Sequence, residues 1–298
     1  MKITNKHELP YPLYEALKGD GKGDENTFKI HPGHISLSKL LMPVQQAILM
    51  HRHDAELEED AADRVWMIIG SAFHYVLEQG YVPNALREAQ MKLDVLGWSI
   101  HMRLDCWYDG TLADYKVGSV WSHILGDPSD YEEQLNAYGL AVREHFGLDV
   151  ERLQAVRIFR DWSQRKYDDD VRYAGQKNMT VTYPPIPFAV VDVDLWPLPK
   201  TRSFLETRIK MFESNWELPD EELTECTAKE RWQDADTWAV YKPGGKRAVR
   251  VLGSENEAVD WIAGRGDYEI QFRPGQSRRC ENYCSVRDIC AQYARLRG

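Results

Sequence analysis

A strand–turn–strand pattern between residues 98 and 117 constrains the fold more than any other feature of the chain. Residues 98–107 (WSIHMRLDCW) and 111–117 (TLADYKV) alternate polar and apolar side chains over much of their length, as half-buried strands do. Asp109-Gly110 between them is a dipeptide that favours a two-residue hairpin turn. Such a turn places Tyr108 opposite Thr111 and fixes the register of every pair further from the turn.

The predicted register gathers charged side chains on one face of the hairpin. Asp105 falls opposite Asp114, and Arg103 falls opposite Lys116. Opposed Cβ atoms lie about 4.5–5.5 Å apart, so the two carboxylates repel each other unless a proton or a cation intervenes. A hard divalent cation such as Mg²⁺ meets this need, and a neighbouring lysine can face a phosphate or an attacking water. A surface hairpin with ordinary salt bridges explains the same stretch.

Two further pairs of side chains lie at helical spacing near this hairpin. Gly70 and His74 share a stripe of the predicted helix 60–79, where the histidine either ligates the same cation or has a structural role. Gln134 and Tyr138 share a face of the next predicted helix and could hold a phosphate or position the lysine of the hairpin.

Helical and strand patterns alternate along the rest of the chain, which predicts a mixed α/β fold. The predicted helices cover 37–52, 60–79, 130–146, 200–216 and 255–263. The predicted strands cover 90–95, 98–107, 111–117, 153–160, 188–196, 237–241, 247–252 and 268–272. Residues 18–33 are predicted to form a loose loop, and residues 165–187 a polar, then proline-rich connection.

Composition limits the kinds of protein that this chain can be. Hydrophobic residues make up 43% of the 298 residues, which is enough for a sizeable core, and no apolar run approaches the roughly 20 residues of a membrane span. The N-terminus lacks an apolar signal region, so we expect a cytoplasmic protein. The net charge of −10 argues against a generally basic surface but leaves room for a local basic groove.

Together these motifs resemble the PD-(D/E)XK nuclease superfamily in its RecB-like branch. That branch has G-x-x-x-H on a helix, an aspartate on a strand, (D/E)-x-K on the next strand and Q-x-x-x-Y on the following helix. The chain carries these motifs in the same order, as GSAFH (70–74), RLDCWYDG (103–110), DYK (114–116) and QLNAY (134–138). The resemblance implies a restriction-endonuclease-like core with flanking helices. Longer stretches, among them MKITNKHELP (1–10) and IFRDWSQRK (158–166), are similar to RecB-like nucleases encoded by tailed bacteriophages.

The resemblance also implies roles for individual residues. The residues implied to bind the catalytic Mg²⁺ or Mn²⁺ are His74, Asp105, Asp114 and Tyr115, the last through its carbonyl. Lys116 is implied to be the catalytic lysine, supported by Gln134 and Tyr138. The arginines expected to contact DNA are Arg103, Arg157, Arg160, Arg278 and Arg279. Asp114 stands where glutamate is commoner in the family, which shortens one ligand arm.

Three of the five cysteines lie within eleven residues, as Cys280, Cys284 and Cys290. An odd number of cysteines disfavours a disulfide framework. The triplet is similar to that of RecB-like nucleases with an iron–sulfur cluster, such as CRISPR-associated exonucleases, although its first gap is three residues instead of two. In that subgroup a fourth cysteine lies upstream, for which Cys226 is the candidate, while Cys106 lies on the predicted apolar face. Four thiolates suit a [4Fe–4S] cluster or, as the alternative, Zn²⁺.

These expectations divide the chain into an N-terminal helical and loop segment (1–59), a nuclease core (60–220) and a ββαβ appendage closed by the cysteine cluster (221–298). We expect a Mg²⁺- or Mn²⁺-dependent deoxyribonuclease, an exonuclease acting on DNA ends or single strands. The alternatives are a structure-selective endonuclease and a catalytically silent DNA-binding subunit. A homo-oligomer, or a partner in phage recombination or replication, is compatible with this prediction.

Overall fold

A computed structural model of the protein describes residues 1–19, 30–126 and 128–297. The predicted loop at 18–33 lies mostly at positions 20–29, outside the described residues. None of the helices within the described ranges has the length and apolar character that crossing a membrane requires.

The chain forms two compact units, and each unit is made of two separate stretches. Unit 1 comprises Met1–Met42 and Glu58–Trp216, and unit 2 comprises Pro43–Leu57 and Glu217–Gly298. The structure thus places residues 43–57 with the C-terminal stretch, whereas the sequence grouped them with the N-terminal segment.

Strands and helices are numbered in chain order. The strands are β1 (Lys2–Thr4), β2 (His34–Ser36), β3 (Glu58–Asp60), β4 (Leu86–Val95), β5 (Trp98–Tyr108), β6 (Thr111–Gly118), β7 (Arg152–Phe159), β8 (Phe188–Val193), β9 (Thr237–Tyr241), β10 (Arg250–Leu252) and β11 (Glu269–Arg273). The α-helices are α1 (Tyr11–Lys18), α2 (Leu37–Leu40), α3 (Val44–Arg52), α4 (Val65–Gln79), α5 (Val120–Ile124), α6 (Glu132–Phe146), α7 (Gln164–Lys177), α8 (Leu198–Trp216), α9 (Glu255–Ile262), α10 (Arg278–Asn282) and α11 (Ala291–Arg297).

β5 organises the central sheet of unit 1, whose strand order is β2–β5–β6–β7–β8. β4 pairs antiparallel with nearly the whole length of β5 and takes up one of its edges. The other edge is shared, because β2 pairs with residues 99–101 and β6 pairs with residues 106–108. β6 and β7 are parallel and are connected through α6, and β8 pairs antiparallel with β7. These parallel and antiparallel pairs confirm the predicted mixed α/β class.

The β5–β6 hairpin has the predicted register at its turn. Asp109 and Gly110 both have positive φ, 43° and 73°, as a two-residue type I′ turn requires, and Tyr108 pairs with Thr111. Three residue pairs form, the last between Cys106 and Ala113. The ladder between the two strands ends there, one residue before the predicted pair of aspartates.

The apolar face of β5 lies in the core of unit 1. Ile100, Met102, Leu104 and Cys106 are buried, while Arg103 between them is exposed, as the alternation predicts. α6 contacts β4, β6 and β7, and α8 packs on α6 and β4. The long helices therefore stabilise the strands that carry the polar hairpin face.

The predicted helix 60–79 begins with a 3₁₀ turn, and α4 follows from Val65. Its apolar spacing does not produce a core stripe, because no residue of α4 is buried in the part of the chain that the structure describes. Trp66 and Val76, for example, are 56% and 66% exposed. Gly80 follows the helix with an extended backbone, φ −66° and ψ 125°.

The connection predicted at 165–187 is wrong over its first half, because this half forms α7. Ala174 alone among the α7 residues is buried, so few apolar residues mark the helix in the sequence. Asp170 accepts hydrogen bonds from the backbone N–H groups of Thr182 and Tyr183, at 2.8 and 2.9 Å. These bonds stabilise the segment after α7 against the helix.

Unit 2 contains the predicted ββαβ arrangement. β9 pairs antiparallel with both β10 and β11, and α9 lies between β10 and β11 in sequence. Ser254 caps α9 by accepting a hydrogen bond from the N–H of Glu257, 3.2 Å. At the other end of the unit, Pro43 divides the predicted helix 37–52 into α2 and α3 and stands at the N-cap of α3.

Candidate functional sites

Asp105 lies where the β5–β6 ladder ends, and its carboxylate connects the two strands. Its Oδ2 accepts a hydrogen bond from the backbone N–H of Tyr115, with an N···O distance of 2.7 Å. Because the donor belongs to a strand paired on its other edge with β7, the bond fixes the direction of the Asp105 side chain. The exposed fraction of this side chain is 11%.

His74 reaches the same carboxylate from α4. Its Nδ1 lies 3.8 Å from Asp105 Oδ1 and 2.9 Å from Glu88 Oε1. One ligand atom from each of these three residues lies within 4.8 Å of the other two, so the group could hold a metal ion. Gly70 lies one turn earlier on α4, and a Cβ added there would meet no described atom within 4 Å.

Glu88 is the member of this group that the sequence did not reveal. It lies in β4, where the pairs on both sides of it place it opposite Asp105. Its φ of 45° is left-handed, which is uncommon within a strand, and its second oxygen lies 3.0 Å from Arg103 Nε. The predicted strand began at residue 90, which pairs with Arg103 in β5. Extending this strand by two residues toward the N-terminus would have placed Glu88 opposite Asp105.

Asp114 and Lys116 form an ion pair on β6. The Nζ of Lys116 lies 3.0 and 2.9 Å from the two carboxylate oxygens of Asp114, so the lysine contacts both. The Asp114 side chain is 2% exposed and the Lys116 side chain is 36% exposed. Lys116 thus has one side against a buried carboxylate and the other accessible.

The pKa of the Asp105 carboxyl lies well above its ordinary value. Burial and the negative charge of Asp114 raise the pKa of this carboxyl to about 6, against the opposing effects of the Tyr115 N–H, His74 and Lys116. The two aspartates therefore interact electrostatically, as the hairpin predicts. A cation near Asp105 would offset the cost of its ionisation.

The side chains of Gln134 and Tyr138 are bonded to each other on α6, with 2.9 Å between Gln134 Nε2 and the Tyr138 hydroxyl. Burial raises the pKa of Tyr138, the bond from Gln134 opposes this, and the charges of Asp114 and Asp105 add to the increase. Burial also raises the pKa of the Tyr115 phenol, to about 12. The structure thus brings the predicted Gln–Tyr pair within electrostatic range of the aspartates.

The predicted DNA-contacting arginines of unit 1 differ in exposure. Arg103 is 63% exposed at its side chain, although it is paired with Glu88. Arg157 is buried, and its guanidinium donates to Ser122 Oγ at 2.6 Å and to the Tyr131 hydroxyl. Arg157 therefore presents little of its charge to solvent. Arg160 lies over the exposed Trp66 ring, 4.1 Å from its centroid.

The two predicted arginines of unit 2 also have protein partners. Arg278 Nε lies 2.9 Å from Asp234 Oδ1, yet its side chain is 62% exposed. Arg279 lies 5.4 Å from the centroid of the Trp232 ring and donates to the Glu230 carbonyl at 3.3 Å. A role of these arginines in binding DNA remains a prediction.

The four predicted ligand cysteines are brought together in unit 2. All four line one cavity, whose lining also includes Gln45, Gln46, Val286, Arg287, Gln292 and Tyr293. All four are free thiols. Cys106, by contrast, is buried in the sheet of unit 1.

The backbone of Cys226 is held by Gln292. The Gln292 Oε1 accepts from the Cys226 N–H at 2.9 Å, and its Nε2 donates to the Cys226 carbonyl at 2.8 Å. Burial, together with the charges of Glu230 and the other three thiols, raises the pKa of the Cys226 thiol to about 12. Thiolates in this place require a positively charged group among them.

Comparison with known proteins adds little to this geometry. No protein-family model and no curated protein matches the chain. A solved structure of a protein named SSO0001 is similar, at 17% identity and a TM-score of 0.39, over 63% of this chain and 82% of that one. A Eubacterium rectale protein described as a candidate exonuclease is similar at 14% identity and a TM-score of 0.30, over 68% of this chain and 65% of that one. At these scores neither likeness bears on the function of this chain.

Proposed function

We propose that the protein is a Mg²⁺- or Mn²⁺-dependent deoxyribonuclease that hydrolyses phosphodiester bonds at DNA ends or in single strands. The observation that carries this proposal is the convergence of His74, Glu88 and Asp105 beside the ion pair of the buried Asp114 with Lys116. Carboxylates bind hard divalent cations, and lysine is a compact charge that can face a phosphate. The order of motifs shared with RecB-like nucleases agrees with this chemistry.

The residues of the candidate site have separate tasks in the proposed reaction. His74, Glu88 and Asp105 would hold the cation, with Asp105 fixed by the Tyr115 N–H. Asp114 would join them from β6. A cation bound there would supply positive charge to polarise the scissile phosphate and to lower the pKa of an attacking water. Lys116, held beside Asp114, would face the negative charge that develops on the phosphate oxygens. Gln134 and Tyr138 would help to orient DNA and Lys116.

Cleavage of DNA by the purified protein tests this proposal. Linear duplex, circular duplex and single-stranded DNA are incubated with the protein and Mn²⁺. We expect linear or single-stranded DNA to be degraded and Lys116→Ala to lose at least about 100-fold of the rate, since it removes a charge-stabilising group. Lys92→Ala, which removes an exposed lysine from β4 of the same sheet, should retain the wild-type rate. A Lys116→Ala variant as active as wild type would refute the mechanism.

The same experiment distinguishes the two alternatives. Cutting of circular or branched DNA with poor digestion of ends would favour a structure-selective endonuclease. Binding of DNA without cleavage of any substrate would favour a catalytically silent subunit. The resemblance to phage-encoded nucleases supports recombination, replication or processing of phage DNA as the setting, in which a second copy or another phage protein would be the partner.

We also propose that Cys226, Cys280, Cys284 and Cys290 ligate a [4Fe–4S] cluster. The four cysteines line one cavity of unit 2, and their thiols are free. Four thiolates suit a [4Fe–4S] cluster or Zn²⁺. The similarity of the cysteine pattern to that of RecB-like nucleases with an iron–sulfur cluster supports the cluster.

Purification without air tests the cysteine site. The expected result is about four iron and four sulfide per chain and a broad absorption in the blue. Stoichiometric zinc without sulfide would instead establish the zinc alternative. Protein that retains neither metal after reconstitution would show that the gathered cysteines are not a metal site.

A further inference from the structure

Gln45 lies directly against two of the gathered sulfurs. Its Oε1 accepts hydrogen bonds from the thiols of Cys226 and Cys290, at S···O distances of 3.6 and 3.7 Å. The residue is 2% exposed, so water does not compete for its amide. It comes from α3, the stretch that joins unit 2 from the far end of the sequence.

The contact must change when the cysteines bind metal, because a metal-bound cysteine is a thiolate and has no proton to donate. An amide oxygen facing two negatively charged sulfurs in a buried place would be repelled by both. Rotation of the Gln45 amide by half a turn exchanges its oxygen for the NH₂ group, at little cost in shape. That group has two N–H donors, one for each sulfur.

We propose that Gln45 is a positioning residue of the cysteine site, which donates hydrogen bonds to the sulfurs of Cys226 and Cys290 when the metal group is bound. This inference rests on the proposed cluster. Hydrogen bonds to cluster sulfurs stabilise the more negative, reduced form, so Gln45 raises the reduction potential. The contact of Gln45 with the cysteines also connects α3 to the C-terminal stretch of unit 2.

The test compares Gln45→Leu with wild type, both reconstituted with iron and sulfide without air. We expect the variant to shift the equilibrium between oxidised and reduced cluster about tenfold toward the oxidised form, a potential about 59 mV lower for one electron. Gln45→Glu, which keeps the shape but replaces the donors by a negative charge, should lower the potential further or lose the cluster. Bleaching of the cluster by EDTA should be faster in both variants.

Gln46→Leu is the matched control. Gln46 is the next residue of the same helix, is 7% exposed and lines the same cavity. Its replacement should leave the potential within error of wild type, whereas a general packing effect would move both variants alike.

The outcomes separate the inference from the proposal beneath it. A loaded wild-type protein whose potential and bleaching rate are unchanged by Gln45→Leu would refute the role of Gln45 and leave the cluster in place. A wild-type protein that takes up no iron and sulfide would overturn the cluster and the inference together. If Gln45→Leu is insoluble, the potential and the bleaching rate of Gln45→Glu, which keeps the side-chain volume, provide the test.

Discussion

Asp105 is ionised at neutral pH against the preference of its surroundings. Burial and the neighbouring Asp114 raise the pKa of Asp105 from 3.8 to about 6. Near pH 8 the folded chain bears the full cost of the ionised carboxylate, up to about 3 kcal/mol. Below about pH 3 the carboxyl is protonated in the folded and the unfolded chain, and the cost disappears. This group therefore lowers the stability of the metal-free protein as the pH rises from about 4 to about 6.

Asp105→Asn removes this cost and is expected to stabilise the metal-free protein by about 1–3 kcal/mol near pH 8. Asn can still accept the Tyr115 N–H, so the strand contact is kept. Near pH 5 the gain should fall to about half, since part of the wild-type Asp105 is then protonated. Thermal unfolding in EDTA at the two pH values measures the difference. Equal gains at both pH values would contradict the raised pKa of Asp105.

Glu88→Gln is expected to weaken Mn²⁺ binding about 10- to 100-fold, because Glu88 contacts His74 and belongs to the same ligand group. The measurement is a calorimetric or spin-resonance titration with Mn²⁺ alone. Glu78→Gln, which changes an exposed glutamate on α4, is the control and should bind as wild type does. Unchanged affinity in Glu88→Gln would exclude this carboxylate from the metal site.

At the residue scale, the sequence pointed to His74 and Asp105 because motif spacing and strand register are local properties. Glu88 was not predicted, since its position depends on where β4 begins and on a left-handed backbone that no alternation pattern reports. The burial of Arg157 could not be predicted from the sequence either. Its partners Ser122 and Tyr131 come from other elements and are far from it in sequence.

At the element scale, the hairpin was predictable because Asp109-Gly110 sets the register within a few residues. α7 was missed because its sequence is almost wholly polar, and packing of a single buried alanine cannot be recognised as a stripe. α4 shows the opposite error. Its apolar residues indicate a helix correctly but say nothing about whether the helix is covered.

α6 is joined to the segment after β8 by one buried side chain. Asn136 donates to the Asp194 carbonyl at 2.9 Å and accepts from the Trp196 N–H at 2.7 Å. Asn136→Ala leaves these backbone groups without partners and is expected to cost about 2–4 kcal/mol. Denaturant unfolding measures the loss. Gln154→Ala, which removes an exposed bond to Asp192, should cost less than about 1 kcal/mol, and similar losses in both variants would contradict the argument.

At the scale of the whole molecule, residues 43–57 could not be assigned from the sequence. The ion pairs of Arg52 and His53 with Asp220, at 2.6 and 2.7 Å, join positions more than 160 residues apart. Neither periodicity nor composition predicts contacts between residues that are so far apart in the sequence. The boundary of unit 2 therefore emerges from tertiary packing alone.

Cys290→Ser removes one proposed ligand and is expected to lower the unfolding temperature of unit 2 by at least about 10 °C, or about 2 kcal/mol, with loss of bound iron. The unfolding of unit 1 should change little. Cys106→Ser is the control, because it also removes a buried thiol but lies in the sheet of unit 1. Iron content and calorimetry are measured on both, and equal iron in the two variants would contradict ligation by Cys290.

Because unit 2 is built from two stretches, its first helix leaves the ribosome long before the rest. The chain between Leu57 and Glu217 must be synthesised in the interval, which takes about 10–30 s at about 5–20 residues per second. Throughout that time Ala47, Ile48 and Leu49, all fully buried at the end, have no partner from the later stretch. Nascent chains stalled before Glu217 should therefore expose a short apolar helix for chaperones to bind.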